Sequence, residues 1–103
     1  MKGYLLKIIV EFGVKYKGKP LFEHIADVCR ENHISGLSVF KAMQGYGKSG
    51  KMHEHGIFSK NEPVAIEIIE TKENIEKIVP VLKSILEELN TGLMTLEEVE
   101  IIR

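Results

Sequence analysis

The apolar residues of this chain repeat with a period that switches between two and about 3.6, and the order of the switches leaves few folds open. Tyr4, Leu6, Ile8, Val10 and Phe12 alternate with Leu5, Lys7, Ile9 and Glu11, a period of two that reads as a strand. Its second face keeps Leu5 and Ile9, so neither side is wholly polar. Residues 13–19 read as a loop, and Pro20 suits the first turn of a helix. Leu21, Phe22, Ile25, Ala26, Val28 and Cys29 then form an apolar helical stripe, with Glu23, Asp27, Arg30 and Glu31 outward; the helix should stop near His33. A second strand is predicted over 37–44. A third opens at Pro63, with Val64, Ile66 and Ile68 on one face. Ile75, Ile78, Val79, Leu82, Ile85, Leu86 and Leu89 mark a second helix over 73–89, and Pro80 within it should kink it or remove one hydrogen bond. Asn90, Thr91 and Gly92 end that helix. A last strand over 97–102 alternates acidic and apolar residues.

The resulting order, β-α-β-β-α-β, predicts a ferredoxin-like α/β (α+β) sandwich: an antiparallel sheet with both helices on one face. At 103 residues the chain is read as a single domain, 1–103, with one modest core. The uncovered sheet face would then expose Leu5, Ile9 and either Ile68 or Ile69, which predicts oligomerisation, most naturally into a closed ring. The N-terminal apolar run has the outline of a signal peptide, but Lys7 and Glu11 interrupt it and no small-residue cleavage site follows. No apolar run approaches the roughly 20 residues that span a bilayer, so membrane insertion is not expected. The single cysteine, Cys29, excludes an internal disulfide and lies on the apolar stripe, as a core residue would. A cytoplasmic location is expected.

Between the second and third strands the composition changes sharply. Residues 41–56 contain four glycines, three lysines and two histidines. Glycine-rich backbone approaches a ligand closely and points several N–H groups at one anion. Lysines add charge that suits phosphate. Residues 41–60 carry four lysines against one glutamate, whereas residues 61–103 carry four basic and ten acidic residues. A local positive feature on a chain of net charge −1 favours a small anion and argues against nucleic acid. The connection is also longer than the usual two to five residues of a hairpin loop. Residues 45–60 are therefore read as a flexible loop that senses a ligand or partner.

The segments GLSVFKAMQGYG (36–47), His53, EPVAIEIIE (62–70) and GLMTLEEVEI (92–101), with PLFE (20–23) at the first helix, resemble the PII-like family catalogued as domain of unknown function one-ninety. The likeness covers nearly the whole chain. Two positions depart from its pattern: Lys41-Ala42 stands where Arg-Gly is usual, and Tyr46 stands between two glycines where Phe is usual. The resemblance implies a ferredoxin-like subunit in a homotrimer, sheets facing the threefold axis. It further implies an adenine nucleotide (ATP, ADP or AMP) held in clefts between subunits. One wall would be the base of the long loop and the other the turn before the last strand. The loop would then meet a regulated target: a membrane channel, a transporter or an enzyme.

On that reading Gln44, Gly45, Tyr46 and Gly47 form the loop base, and Gly92, Leu93, Met94 and Thr95 the opposing turn. Glycine N–H groups would take phosphate oxygens, Lys41 and Lys48 would pair with phosphate, and Met43 and Met94 would cover the purine. The family pattern has histidine at His53, which places that residue near the ligand. His53 and His55, two apart on a strand, are also the weak candidates for a metal- or small-anion-binding alternative, although two ligands are too few for structural zinc. Glu62, Glu67 and Glu70 are expected in solvent or at an oligomer interface. No Ser-His-Asp order, paired-carboxylate spacing or G-x-x-x-x-G-K-[ST] motif occurs, so the sequence reads as non-enzymatic, with no cofactor required.

Overall fold

The computed structural model describes residues 1–41 and 62–103, and between them the backbone of two short strands. In chain order the elements are β1 (Lys2–Glu11), β2 (Lys15–Tyr16), β3 (Lys19–Pro20), α1 (Leu21–Glu31), β4 (Ser38–Lys41), β5 (Gln44–Tyr46), β6 (Met52–Glu54), β7 (Pro63–Glu70), α2 (Lys72–Leu89) and β8 (Leu93–Glu100). The main sheet has the order β4-β7-β1-β8 with every neighbouring pair antiparallel. Each helix thus connects two strands that have a third lying between them, and the fold is ferredoxin-like.

The alternation read in β1 divides the two faces of the sheet. Leu6, Ile8 and Val10 are buried beside Ile68, Ile66 and Val64 of β7, against which they are registered. Leu21, Ile25, Val28 and Cys29 of α1 and Ile75, Ile78 and Leu82 of α2 close over them. Each of these large aliphatic side chains contributes roughly 1.5–3 kcal/mol on leaving water. Burial pushes the Cys29 thiol up to about 11, which leaves it a packing group. Pro80 does not break α2: the helix continues through it to Leu89, and Pro80 lies on its exposed side. The proline has no N–H to donate, and water can serve the carbonyl one turn earlier.

Several boundaries differ from expectation. Helix α1 does stop near His33 as expected: it ends at Glu31, Asn32 folds back with its Nδ2 donating to the Val28 carbonyl at 2.8 Å, and His33 turns left-handed at φ 60°. The expected loop at 13–19 contains the small β2–β3 hairpin. Among the described residues of the predicted strand 37–44, Ser38–Lys41 join the main sheet and Gln44 starts a separate hairpin, β5 with β6. The last strand begins at Leu93, four residues earlier than predicted. Leu93 and Met94 pair with Ile9 and Ile8, so the expected turn at 92–95 is largely an edge strand. Of the two isoleucines left open on the uncovered face, Ile69 is the exposed one and Ile68 is fully buried.

The acidic residues require a further correction. Glu62 and Glu70, expected in solvent or between subunits, are buried within one chain, while Glu67 is half-exposed on the open sheet face. Glu70 sits where the loop after α1 meets the start of α2. Its carboxylate accepts from the Ser35 N–H (2.9 Å) and Oγ (2.8 Å), the Thr71 N–H (3.2 Å) and Asn74 Nδ2 (3.0 Å). These donors, the Ser35 N–H foremost, hold it down at about 2 despite its burial.

Candidate ligand-binding site

The sheet has one end at which β1 and β4 finish and β7 and β8 begin, and the described candidate residues gather there. Lys41 is the last residue of β4, opposite Val64. Its Nζ lies 3.3 Å from Glu62 Oε2 and 4.7 Å from the centre of the Phe12 ring. Phe12 stacks on Phe22, centroids 5.5 Å apart, and its N–H donates to the Glu62 carbonyl at 2.7 Å. The lysine is thus steered by a carboxylate and an aromatic face together. Glu62 is only 3% exposed, and its Oε2 accepts no hydrogen bond. The 3.3 Å contact with Lys41 is therefore Coulombic proximity without hydrogen-bond alignment. Among the described residues Lys41 is the countercharge of this buried carboxylate, and a buried carboxylate is costly unless it is paired.

Gly92 stands at the opposite edge. Asn90 ends α2 in the left-handed region (φ 48°), and Gly92 follows at φ 85°. A Cβ there would come within 2.9 Å of Leu86 Cδ2 and 3.3 Å of the Ile9 carbonyl oxygen, so both dihedral and space call for glycine. Met94 shares the helix side of the sheet with its partner Ile8 and packs against the core. Leu93 and Thr95 fall on the open side, beside Ile9 and Lys7.

The register fixes how far apart these two groups are. Phe40, Ala65, Ile9 and Leu93 form one row across β4, β7, β1 and β8. Three strand spacings separate its ends, about 14 Å. Lys41 and Gly92 to Thr95 therefore lie at opposite edges of one sheet, with two strands between them.

Gln44, Gly45, Tyr46 and His53 belong to the β5–β6 hairpin, in which Gly45 is the register partner of His53. Met43, Gly47, Lys48 and His55 lie outside the described residues. Among the described residues no three His, Cys, Asp or Glu side chains converge as a metal site would require, and no helix is long and apolar enough to cross a membrane. Glu62 and Phe12 are the site residues that sequence reasoning missed. The available signal was a pair of opposite charges, Lys41 and Glu62, bounding the long connection between two antiparallel strands.

The profile of DUF190, described as an uncharacterized ACR family, matches residues 3–101. The chain belongs to the DUF190 family. A UPF0166 protein of Aquifex aeolicus (strain VF5) is 33% identical to it, over 99% of this chain and 95% of the relative. A UPF0166 protein of Methanocaldococcus jannaschii is 35% identical, over 95% and 90%. Among solved structures it is similar to CPII, a nitrogen regulatory PII-like protein from Thiomonas intermedia K12 bound to ADP, AMP and bicarbonate. The TM-score is 0.75 at 19% identity, covering 100% of this chain and 91% of that one. A Thermus thermophilus chain described as a PII-like signaling protein gives 0.69 at 16% identity, covering 99% and 90%. At such identities the likeness speaks for the fold, which is PII-like.

Proposed function

We propose that this DUF190 protein is a PII-like regulator that binds an adenine nucleotide between the subunits of a homotrimer and signals through residues 45–60. The observation that carries the reading is the placement of Lys41 and Gly92 to Thr95 on opposite edges of one sheet. Neighbouring chains that bring unlike edges together, as a closed ring does at every interface, would join the two sets into one cleft. That CPII was crystallised with ADP and AMP supports adenine nucleotides as the ligand class. Lys41, Lys48 and the N–H groups of Gly45 and Gly47 would receive the phosphates. Gly92 would let the neighbouring backbone approach. His53 would stand beside the ligand. The regulated target would be a membrane channel, a transporter or an enzyme in the cytoplasm, and the protein itself would perform no chemistry.

Native mass spectrometry joined to calorimetry tests this. The expected result is a trimer that takes up ATP, ADP or AMP with heat, and gives no comparable heat with zinc, which probes His53 and His55 instead. Gly47→Val should weaken nucleotide affinity while the trimer persists. A monomer indifferent to all three nucleotides would overturn the proposal.

A further inference from the structure

The contact between Lys41 and Glu62 is unlike the other ion pairs among the described residues. Its carboxylate side chain is 5% exposed and its lysine 39%, whereas every other pair uses a carboxylate that is 29% exposed or more. The two partners also differ in freedom. Glu62 is fixed at the backbone: its carbonyl takes the Phe12 N–H at 2.7 Å, and Pro63 follows as the first residue of β7. Lys41 ends β4 on an edge of the sheet, and a four-carbon stem carries its charge. When the pair separates, the lysine is the partner that moves.

We propose that Glu62 competes with the ligand's phosphate for Lys41 and thereby sets the affinity of the site. The inference rests on the nucleotide-binding reading above and adds the residue that limits it. In the empty protein Lys41 Nζ stays 3.3 Å from Glu62 Oε2, an oxygen that accepts no hydrogen bond and so has no donor to fall back on. A phosphate that draws the lysine away removes the countercharge that this buried carboxylate has among the described residues, which is costly. That cost is subtracted from what the phosphate gains. A ligand without phosphate offers the lysine nothing in exchange and leaves the pair intact. Glu62 therefore weakens phosphate-bearing ligands selectively, as suits a sensor that must release its ligand when the concentration falls.

Calorimetry with ADP and with adenosine tests this on the wild type, Glu62→Gln, Lys41→Met and the double variant, with far-UV circular dichroism as the check on folding. Glu11→Gln is the control for charge alone, because Glu11 is exposed and registered opposite Pro63 at the same end of the sheet. Glu62→Gln should bind ADP about tenfold more tightly than the wild type, with adenosine unchanged. Glu11→Gln should stay within about twofold of the wild type, and the double variant within about twofold of Lys41→Met, since neither bears on a lysine waiting to be released. No gain in Glu62→Gln, a gain shared by adenosine, or an equal gain in the Lys41→Met background overturns the competition alone. A wild type and a Glu62→Gln variant that both ignore ADP overturn it together with the nucleotide-binding reading beneath it.

Discussion

Strand β7 is flanked by two buried carboxylates with opposite treatment. Glu70, at its end, has four donors on its two oxygens. Glu62, just before its start, is buried more deeply yet leaves Oε2 without a hydrogen bond and leans on Lys41 for countercharge. The first arrangement ties the loop after α1 to the N-terminus of α2 and resembles an ordinary structural clamp. The second sits at the base of the residues proposed to sense a ligand, where an arriving phosphate would compete with Glu62 for Lys41. One end of the sheet is fixed by full satisfaction. On the proposed reading the other end would respond to a ligand.

Substitutions can break this contrast, and the largest effect belongs to the clamp. Glu70→Ala strands donors from Ser35, Thr71 and Asn74 and should cost about 3 kcal/mol in denaturant melts. A loss under about 0.5 kcal/mol, the usual scatter of surface substitutions, would show that the clamp is decorative. Next comes Lys41→Met, which removes the cation that Glu62 meets among the described residues. About 2 kcal/mol is expected, less than for a fully buried pair because the lysine is partly exposed. Adding Glu62→Gln to it should recover most of that loss, and additive losses in the double variant would mean that the two residues do not act as a pair. Glu62→Gln alone should change stability least, by about 1 kcal/mol or less.

Acid separates the two ends further. The Glu70 carboxyl is held at about 2, below the ordinary carboxylate value, so its stabilisation is complete above about pH 4.5 and disappears as pH falls toward 2. Glu70→Gln should therefore flatten the stability profile between about pH 4.5 and 2. An unchanged acid limb in that variant would contradict the assignment.

Much of this architecture was legible in the sequence because the core faces keep strict periods. Leu6, Ile8 and Val10 against Val64, Ile66 and Ile68 declare a shared sheet face, and the stripe from Ile75 to Leu86 declares its cover. Periodicity failed where no face is buried. The start of β8 has Leu93 and Leu96 exposed and only Met94 against the core, so alternation marked the strand only from residue 97, and the turn at 92–95 was what the resemblance implied. Glu62 was illegible for a different reason. Its carbonyl accepts from the N–H of Phe12, a partner far away in the chain that reaches the same end of the sheet. An acidic residue before a proline gives no local hint of that.

The central claim is that a complete nucleotide site exists only between chains, and subunit mixing tests it most directly. Gly47→Val disables the wall after β4, and Gly92→Ala disables the wall before β8. In a mixed trimer one interface joins two undamaged walls, whatever the ratio. Nucleotide retained per assembly, read by native mass spectrometry, should be none for either variant alone and one for every mixed trimer. Retention by either pure variant, or none in the mixed assemblies, would contradict a site shared between subunits.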